Sequence, residues 1–216
     1  IMLNLEKYFL KKRILIYGLG KSGLSTYSFL KKSNVISLFD DRIITKKKIK
    51  DTHTTYKEII KKEFDCIIIS PGIDINKCKL SSFLKKNHKK IYTDLDIFYS
   101  RYAFNQKITI TGTNGKSTTA KLLYDILKDQ KKDVRLVGNI GNPILLEKKI
   151  KKDTLFVIEA SSYQLEYSRL FKTNISIILN IAPDHLERHK TINKYVSAKF
   201  KLIKNQSKID IAILNT

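Results

Sequence analysis

The feature that most restricts this chain's fold occurs twice: a short β-branched run, then a glycine-bearing loop, then an amphipathic segment. The first copy has a strand over 13–17, the loop Gly18-Leu19-Gly20-Lys21-Ser22-Gly23 and a helix over 22–32. The second has a strand over 107–110, the loop Thr111-Gly112-Thr113-Asn114-Gly115-Lys116-Ser117 and a helix over 116–128. Ala120, Leu123 and Leu127 fall on one face of that helix. Further apolar runs at 35–39, 66–69, 154–158, 175–181 and 209–214 read as strands, and 192–204 reads as a helix with Thr191 as its N-cap. Short apolar strands alternating with helices build parallel sheets, so the expected class is α/β. Residues 91–102 complete the first unit and 103–106 link it to the second. A length of 216 residues is enough for two cores, and the expected domains are 1–105 and 106–216. A strand at 209–214 is an odd place for a domain to finish, so truncation is expected.

Composition removes several classes. With 42% hydrophobic and 29% charged residues the chain reads as globular. Its longest apolar runs fall far short of the roughly 20 residues that a bilayer demands, so no membrane partner is expected. The opening ten residues carry Glu6 and Lys7 and lack a signal-peptide pattern, which predicts a cytoplasmic protein. Cys66 and Cys78 have neither metal-ligand nor redox spacing and read as free thiols. The net charge of +22 invites a nucleic-acid reading. The lysines recur everywhere instead, at 31–32, 46–48, 61–62, 85–86, 131–132 and 151–152. Scattered pairs mark a solvated surface, and no nucleic-acid partner is expected. His53, His88 and His189 sit among lysines and polar residues and read as surface groups.

Open parallel sheets bind ligands beyond the carboxyl ends of their strands. There the second loop offers backbone N–H groups and a helix N-terminus to phosphates, with Lys116 for the terminal phosphates and Ser117 for magnesium. It departs from the general phosphate-loop pattern, because Ile110 stands where the first glycine belongs. The strand over 154–158 delivers Glu159 and Ser161, and the strand over 175–181 delivers Asp184 and His185. A carboxylate and an imidazole meeting a triphosphate are reasonable metal partners. The first loop fits G-x-G-x-x-G with Asp40 after the next strand, which suits a pyrophosphate-bearing nucleotide. That loop does not separate a nicotinamide cofactor from a UDP-sugar. An NAD-dependent oxidoreductase and a nucleotide- or RNA-binding module remain open alternatives.

Taken together, these segments resemble the Mur ligases. Gly-Leu-Gly-Lys-Ser-Gly at 18–23, Ser-Pro-Gly-Ile at 70–73, Thr-Gly-Thr-Asn-Gly-Lys-Ser-Thr at 111–118 and Gly-Asn-Ile-Gly at 138–141 match in order. So do Glu-Ala-Ser-Ser-Tyr-Gln-Leu-Glu at 159–166, Leu-Asn-Ile-Ala-Pro-Asp-His-Leu-Glu-Arg-His at 179–189 and Ala-Lys-Phe-Lys at 198–201. Folylpolyglutamate synthases share the central loop, whereas the first glycine loop and Ser-Pro-Gly-Ile speak for the Mur ligases. The resemblance implies a Rossmann-like UDP-substrate domain, an incomplete P-loop-type central ATP-binding domain and an absent C-terminal domain. It implies an ATP- and Mg2+-dependent ligase that is monomeric at full length and joins D-glutamate to UDP-N-acetylmuramoyl-L-alanine through an acyl phosphate. This chain alone is then expected to be inactive. Carried over by position, Gly112, Thr113, Asn114, Gly115, Lys116, Ser117 and Thr118 would hold ATP, and Ser117, Glu159, His185 and Lys199 would serve metal. Lys116, His185 and Lys199 would be catalytic. Gly20, Lys21, Ser22, Asp40, Arg42, Ser70, Gly72, Asn139, Ser161 and Gln164 would hold the muramoyl nucleotide. Asp41 stands where the family often has a small hydroxyl residue. Lys199, one more solvated lysine by sequence alone, matches a lysine that the family carbamylates.

Overall fold

The structure, a computed structural model, describes residues 5–42 and 53–215. The lysine run at 46–48 and the first four residues of the opening stretch lie outside the described residues. The first half folds into β1 (Arg13–Tyr17), α1 (Lys21–Leu30), β2 (Val35–Phe39), α2 (Tyr56–Ile59), β3 (Cys66–Ile69), α3 (Ser81–Lys86), β4 (Ile91–Tyr92) and α4 (Asp94–Arg101). Its sheet runs β2-β1-β3-β4, with every pairing parallel. Covered on both faces, the central strands are apolar at consecutive positions, and Ile14 to Tyr17 and Cys66 to Ile69 are all buried.

The second half contains β5 (Lys107–Thr111), α5 (Lys116–Asp129), β6 (Val134–Gly138), β7 (Leu155–Glu159), α6 (Ser162–Glu166), β8 (Ile175–Ile178), α7 (Leu186–His189), α8 (Ile192–Lys204) and β9 (Ile211–Leu214). Its sheet is also parallel throughout, in the order β6-β7-β5-β8-β9. Ala120, Leu123 and Leu127 of α5 pack on it as the helical spacing predicts. The sequence does not single out β6, where Arg135 interrupts the apolar run and pairs with Asp133 and Glu147. β8 stops at Ile178 instead of residue 181; past it Leu179 N still donates to Thr111 O at 3.0 Å, and Asn180 bonds the adjacent glycine loop through both its carbonyl and its side chain.

Two expectations about polar residues need correction. His189 is buried, with Nε2 3.0 Å from Ser162 Oγ, and His53 stacks on Phe39. A neighbourhood polar in sequence is not polar in space where a helix turn folds inward. The segment 103–106 is likewise no loose tether. Asn105 is buried and donates from Nδ2 to the carbonyls of Lys151 and Thr154 at 2.8 and 3.0 Å.

The two sheets share one apolar cluster, in which Phe98 meets Phe156 edge-on at 4.8 Å between ring centroids. At its border lies the Asp96 carboxylate, fully buried. One oxygen caps its own helix by accepting from Thr93 N at 2.8 Å. The other accepts from Ser168 Oγ and from the backbone of Arg169, Leu170 and Phe171 at 2.7 to 3.1 Å. Burial pushes this carboxyl up from the usual range, and the backbone donors pull the other way. Replacing it strands several buried N–H groups. The Asp96→Asn variant, which turns an amide N–H2 toward donors, is expected to lose about 2–4 kcal/mol of stability. Urea denaturation measures this, and an unchanged midpoint would contradict it.

Candidate functional site

The carboxyl ends of both sheets carry the residues that the sequence singles out. Beyond β1, the first helical turn packs directly on the end of the strand, because Gly23 has no side chain. A Cβ there would lie 1.8 Å from Gly18 O. Ser70 Oγ donates to that same carbonyl at 2.7 Å. Asp40 accepts from Leu19 N at 2.6 Å and from Arg42 N at 2.9 Å, shaping the loop with its carboxylate. These bonds frame a cleft of ≈ 500 Å³ whose lining includes Gly20, Lys21, Asp40, Arg42 and Gly72. Ser22 also borders it, but its hydroxyl donates to Asp94 Oδ2 at 2.6 Å and ties α1 to α4. Asp41 accepts from Tyr17 Oη at 2.6 Å, and burial, reinforced by this bond, pushes the phenol up.

Beyond β5, the glycine loop is braced by a side chain to which the sequence assigns no role. Asn180 Oδ1 accepts from Thr113 N at 3.1 Å and Asn114 N at 2.8 Å, while its Nδ2 donates to Asn114 O at 3.1 Å. Thr113 Oγ1 accepts from Ala182 N at 3.0 Å and lies 3.1 Å from Tyr195 Oη. The loop is thereby held open at the start of α5, whose first-turn N–H groups have no intrahelical partners. Lys116 Nζ donates to Thr113 O at 2.7 Å, and Ser117 and Thr118 lie exposed in that first turn. An asparagine just past a strand end is a turn-forming signal, and it was the available clue to Asn180.

Glu159 closes the site from β7. It is fully buried, and its carboxylate accepts from Ser117 Oγ and from Asn139 Nδ2, each at 2.8 Å. Neither donor carries charge, and a carboxylate at this depth is a place where a bound cation would be favoured. The approach of Asn139 depends on Gly138, where a Cβ would meet Glu159 O at 2.2 Å. Among the described residues, no three His, Cys, Asp or Glu side chains gather into a cage. Ser117 and Glu159 offer hard oxygens from one side only. That fits Mg2+, which usually takes one or two protein oxygens and completes its shell with phosphates and water.

Lys199 is not the solvated lysine that the sequence alone suggests. It is buried, Nζ donates to Gly112 O at 2.7 Å, and it lies 4.6 Å from the centre of the Tyr195 ring. Burial, helped by the neighbouring Lys116 charge and opposed by Asp184, lowers its amine to about 8. His185 is half-exposed, with ring nitrogens 3.5 Å from Asp184 Oδ2 and 3.6 Å from Glu187 Oε1. Those contacts, and not Glu159 or Ser117, are what the structure brings to it. Ser161 and Gln164 form the capping box of α6, and Asn139 serves Glu159. Their side chains are thus engaged within the fold, as Ser22 is.

Known proteins match this arrangement along most of its length. The MurD-like N-terminal domain of Mur ligases matches residues 12–91, and the Mur ligase middle domain matches residues 110–216. The UDP-N-acetylmuramoylalanine–D-glutamate ligase of Caldicellulosiruptor bescii is 35% identical over 94% of this chain and 47% of its own length. That of Lachnoclostridium phytofermentans is 37% identical over 96% of this chain and 48% of its own. The chain therefore spans about half the length of the curated relatives it matches. In solved structures the fold recurs in the UDP-N-acetylmuramate:L-alanyl-gamma-D-glutamyl-meso-diaminopimelate ligase of Neisseria meningitides, with a TM-score of 0.58 at 13% identity over 95% of this chain and 71% of that one. It recurs in the UDP-N-acetylmuramate-alanine ligase of Thermotoga maritima, with a TM-score of 0.52 at 20% identity over 94% and 49%. With two domain matches in order, a glycine loop facing a buried glutamate and a glycine-lined cleft in the first half, the chain belongs to the Mur ligase family.

Proposed function

We propose that this chain is the nucleotide-handling part of a ligase that joins D-glutamate to UDP-N-acetylmuramoyl-L-alanine at the expense of ATP. The observation that carries the reading is Glu159, a buried carboxylate held by neutral donors against Ser117 at the mouth of the glycine loop. Residues 1–105 would hold the UDP-sugar in the Gly18 cleft, and 106–216 would hold ATP, in a protein acting as a monomer. The substrate carboxylate would attack the terminal phosphorus, and the bond to the ADP oxygen would break. The amine of D-glutamate would then attack the acyl carbon, expelling phosphate and giving its proton to solvent.

Loop amides from Gly112 to Lys116 would orient the phosphates, and Lys116 would swing from Thr113 O to the terminal one. Bound Mg2+ would offset the charge on the phosphate oxygens. Ser117 and Glu159 would hold it, with His185 serving a second metal. Lys21, Arg42, Ser70 and Gly72 would face the UDP group. Aligning two reactants in this way contributes up to ~7–11 kcal/mol. Lys199, with its amine lowered to about 8, is unprotonated in part near neutrality and suited to take up carbon dioxide as a carbamate.

Three outcomes follow from these roles. By calorimetry the chain is expected to bind UDP-N-acetylmuramoyl-L-alanine and not NADH, and Lys116→Ala is expected to weaken ATP by roughly 10–100-fold, the worth of one charged hydrogen bond, with UDP-sugar affinity retained. Preference for NADH, or full ATP affinity in the variant, would overturn the reading. The Glu159→Gln variant keeps both neutral partners and loses the buried charge. Its ligand-free melting temperature should match or exceed that of the parent, but the extra stabilisation that Mg2+ gives on top of ATP should vanish. For Lys199 the folded value lies below the unfolded one, so the protonated amine is penalised in the fold. That penalty is complete below pH 8 and is relieved as pH rises toward the ordinary lysine range. Carbon-13 NMR under labelled CO2 should accordingly show one carbamate signal that grows as pH rises through 8. A Lys199→Ala variant that keeps the signal would refute the assignment.

A further inference from the structure

Between the Gly18 cleft and the segment that carries His185 runs a contact that the proposed chemistry leaves unused. Arg188 lies on the one-turn helix α7, three residues past His185, and is 8% exposed. Its Nε and one terminal nitrogen clasp Glu166 Oε2 at 2.9 and 2.8 Å. The same terminal nitrogen donates to Ile73 O at 2.6 Å. Ile73 closes the Ser70-Pro71-Gly72 turn that lines the Gly18 cleft. The guanidinium also lies against two rings, 5.1 Å from the Tyr163 ring centre and 5.6 Å from that of Tyr167. A planar, permanently charged group bonded through Nε and one terminal nitrogen and lying against two rings has little freedom left. Tyr163 in turn donates to Glu187 at 2.9 Å and stacks beside His185 at 4.9 Å.

We propose that Arg188 is a positioning residue that sets the span between the nucleotide cleft and the phosphate loop. It does so by fixing the carbonyl of Ile73 to the helix that carries His185. This rests on the reading of the Gly18 cleft as the UDP-sugar site. A ligand anchored in that cleft has to reach the loop at Gly112 with its reactive end, so a shift in the 70–73 turn relative to α7 misplaces one end or the other. Arginine is the side chain that meets every partner at once. Lysine, with a single ammonium, can reach Glu166 or Ile73 but cannot replace the fork or the stacking.

The test is calorimetric titration of the chain and of its Arg188→Gln and Arg188→Lys variants with UDP-N-acetylmuramoyl-L-alanine and, separately, with ATP and Mg2+. Circular dichroism melting of each variant reports the fold. The expected result is UDP-sugar affinity down about tenfold in Arg188→Gln, roughly the loss of one charged hydrogen bond, partly restored in Arg188→Lys, with ATP affinity unchanged. A parallel fall of both affinities with the melting temperature would reduce Arg188 to a structural tie and overturn the proposal, as would unchanged UDP-sugar affinity. If the unaltered chain binds ATP but no UDP-sugar, the reading of the cleft fails and the proposal with it.

Discussion

Everything that faces ligand in this molecule depends on two parallel sheets being held in one fixed relation, and a single carboxylate does much of the holding. Asp96 caps its own helix with one oxygen and gathers Ser168 and the amides of Arg169, Leu170 and Phe171 with the other. The helix it starts belongs to the first sheet, and the turn it organises belongs to the second. Burial makes this bond set unforgiving, since an unmatched donor at this depth has no water to turn to. The aromatic contact of Phe98 with Phe156 fills the space behind it. The polar clamp specifies one arrangement, and the apolar cluster supplies most of the stabilisation.

With the sheets fixed, the strands aim their carboxyl ends at neighbouring volumes. β5, β7 and β8 each end in a group that touches another: the glycine loop, Glu159 and Asn180. Asn180 stands two residues past the end of β8. Its amide side chain accepts from two loop amides and returns one donor, while its backbone carbonyl also accepts from Thr113 N at 3.0 Å, so the residue serves the loop with main chain and side chain together. Glu159 takes the opposite part. It stays in the ladder, opposite Gly138 and Ile110, and its carboxylate meets only the neutral donors of Ser117 and Asn139.

Much of this was legible before any coordinates. The repeated strand, glycine loop and helix set the fold class, and the ends of the strands named Lys116, Ser117, Glu159 and Asp40. What stayed hidden depends on contacts distant in sequence. Asp96 reads as one more acid at a helix start, and its partners lie more than 70 residues away. His189 reads as a surface histidine among lysines until α7 turns it toward Ser162 and Tyr195. The resemblance suggests Ser22, Ser161 and Gln164 as substrate contacts, and the fold engages their side chains in a helix tie and a cap. No periodicity reports which partner a hydroxyl will choose.

The two buried lysines show how position decides what burial means. Lys107 and Lys199 are each about 1% exposed, and burial lowers their amines to about 7 and about 8. Lys107 donates to the carbonyls of Ala103 and Asn105 and rests on the Tyr99 ring. It stands at the amino end of β5, away from every loop that could meet a ligand, and its part is to fasten the crossing between the sheets. Lys199 reaches the opposite end of the same strand, at Gly112 O, with the Lys116 charge beside it. A lowered amine is therefore not sufficient to mark a reactive one. The same desolvation falls at opposite ends of one strand, and which end carries the glycine loop is fixed by the direction of the parallel ladder.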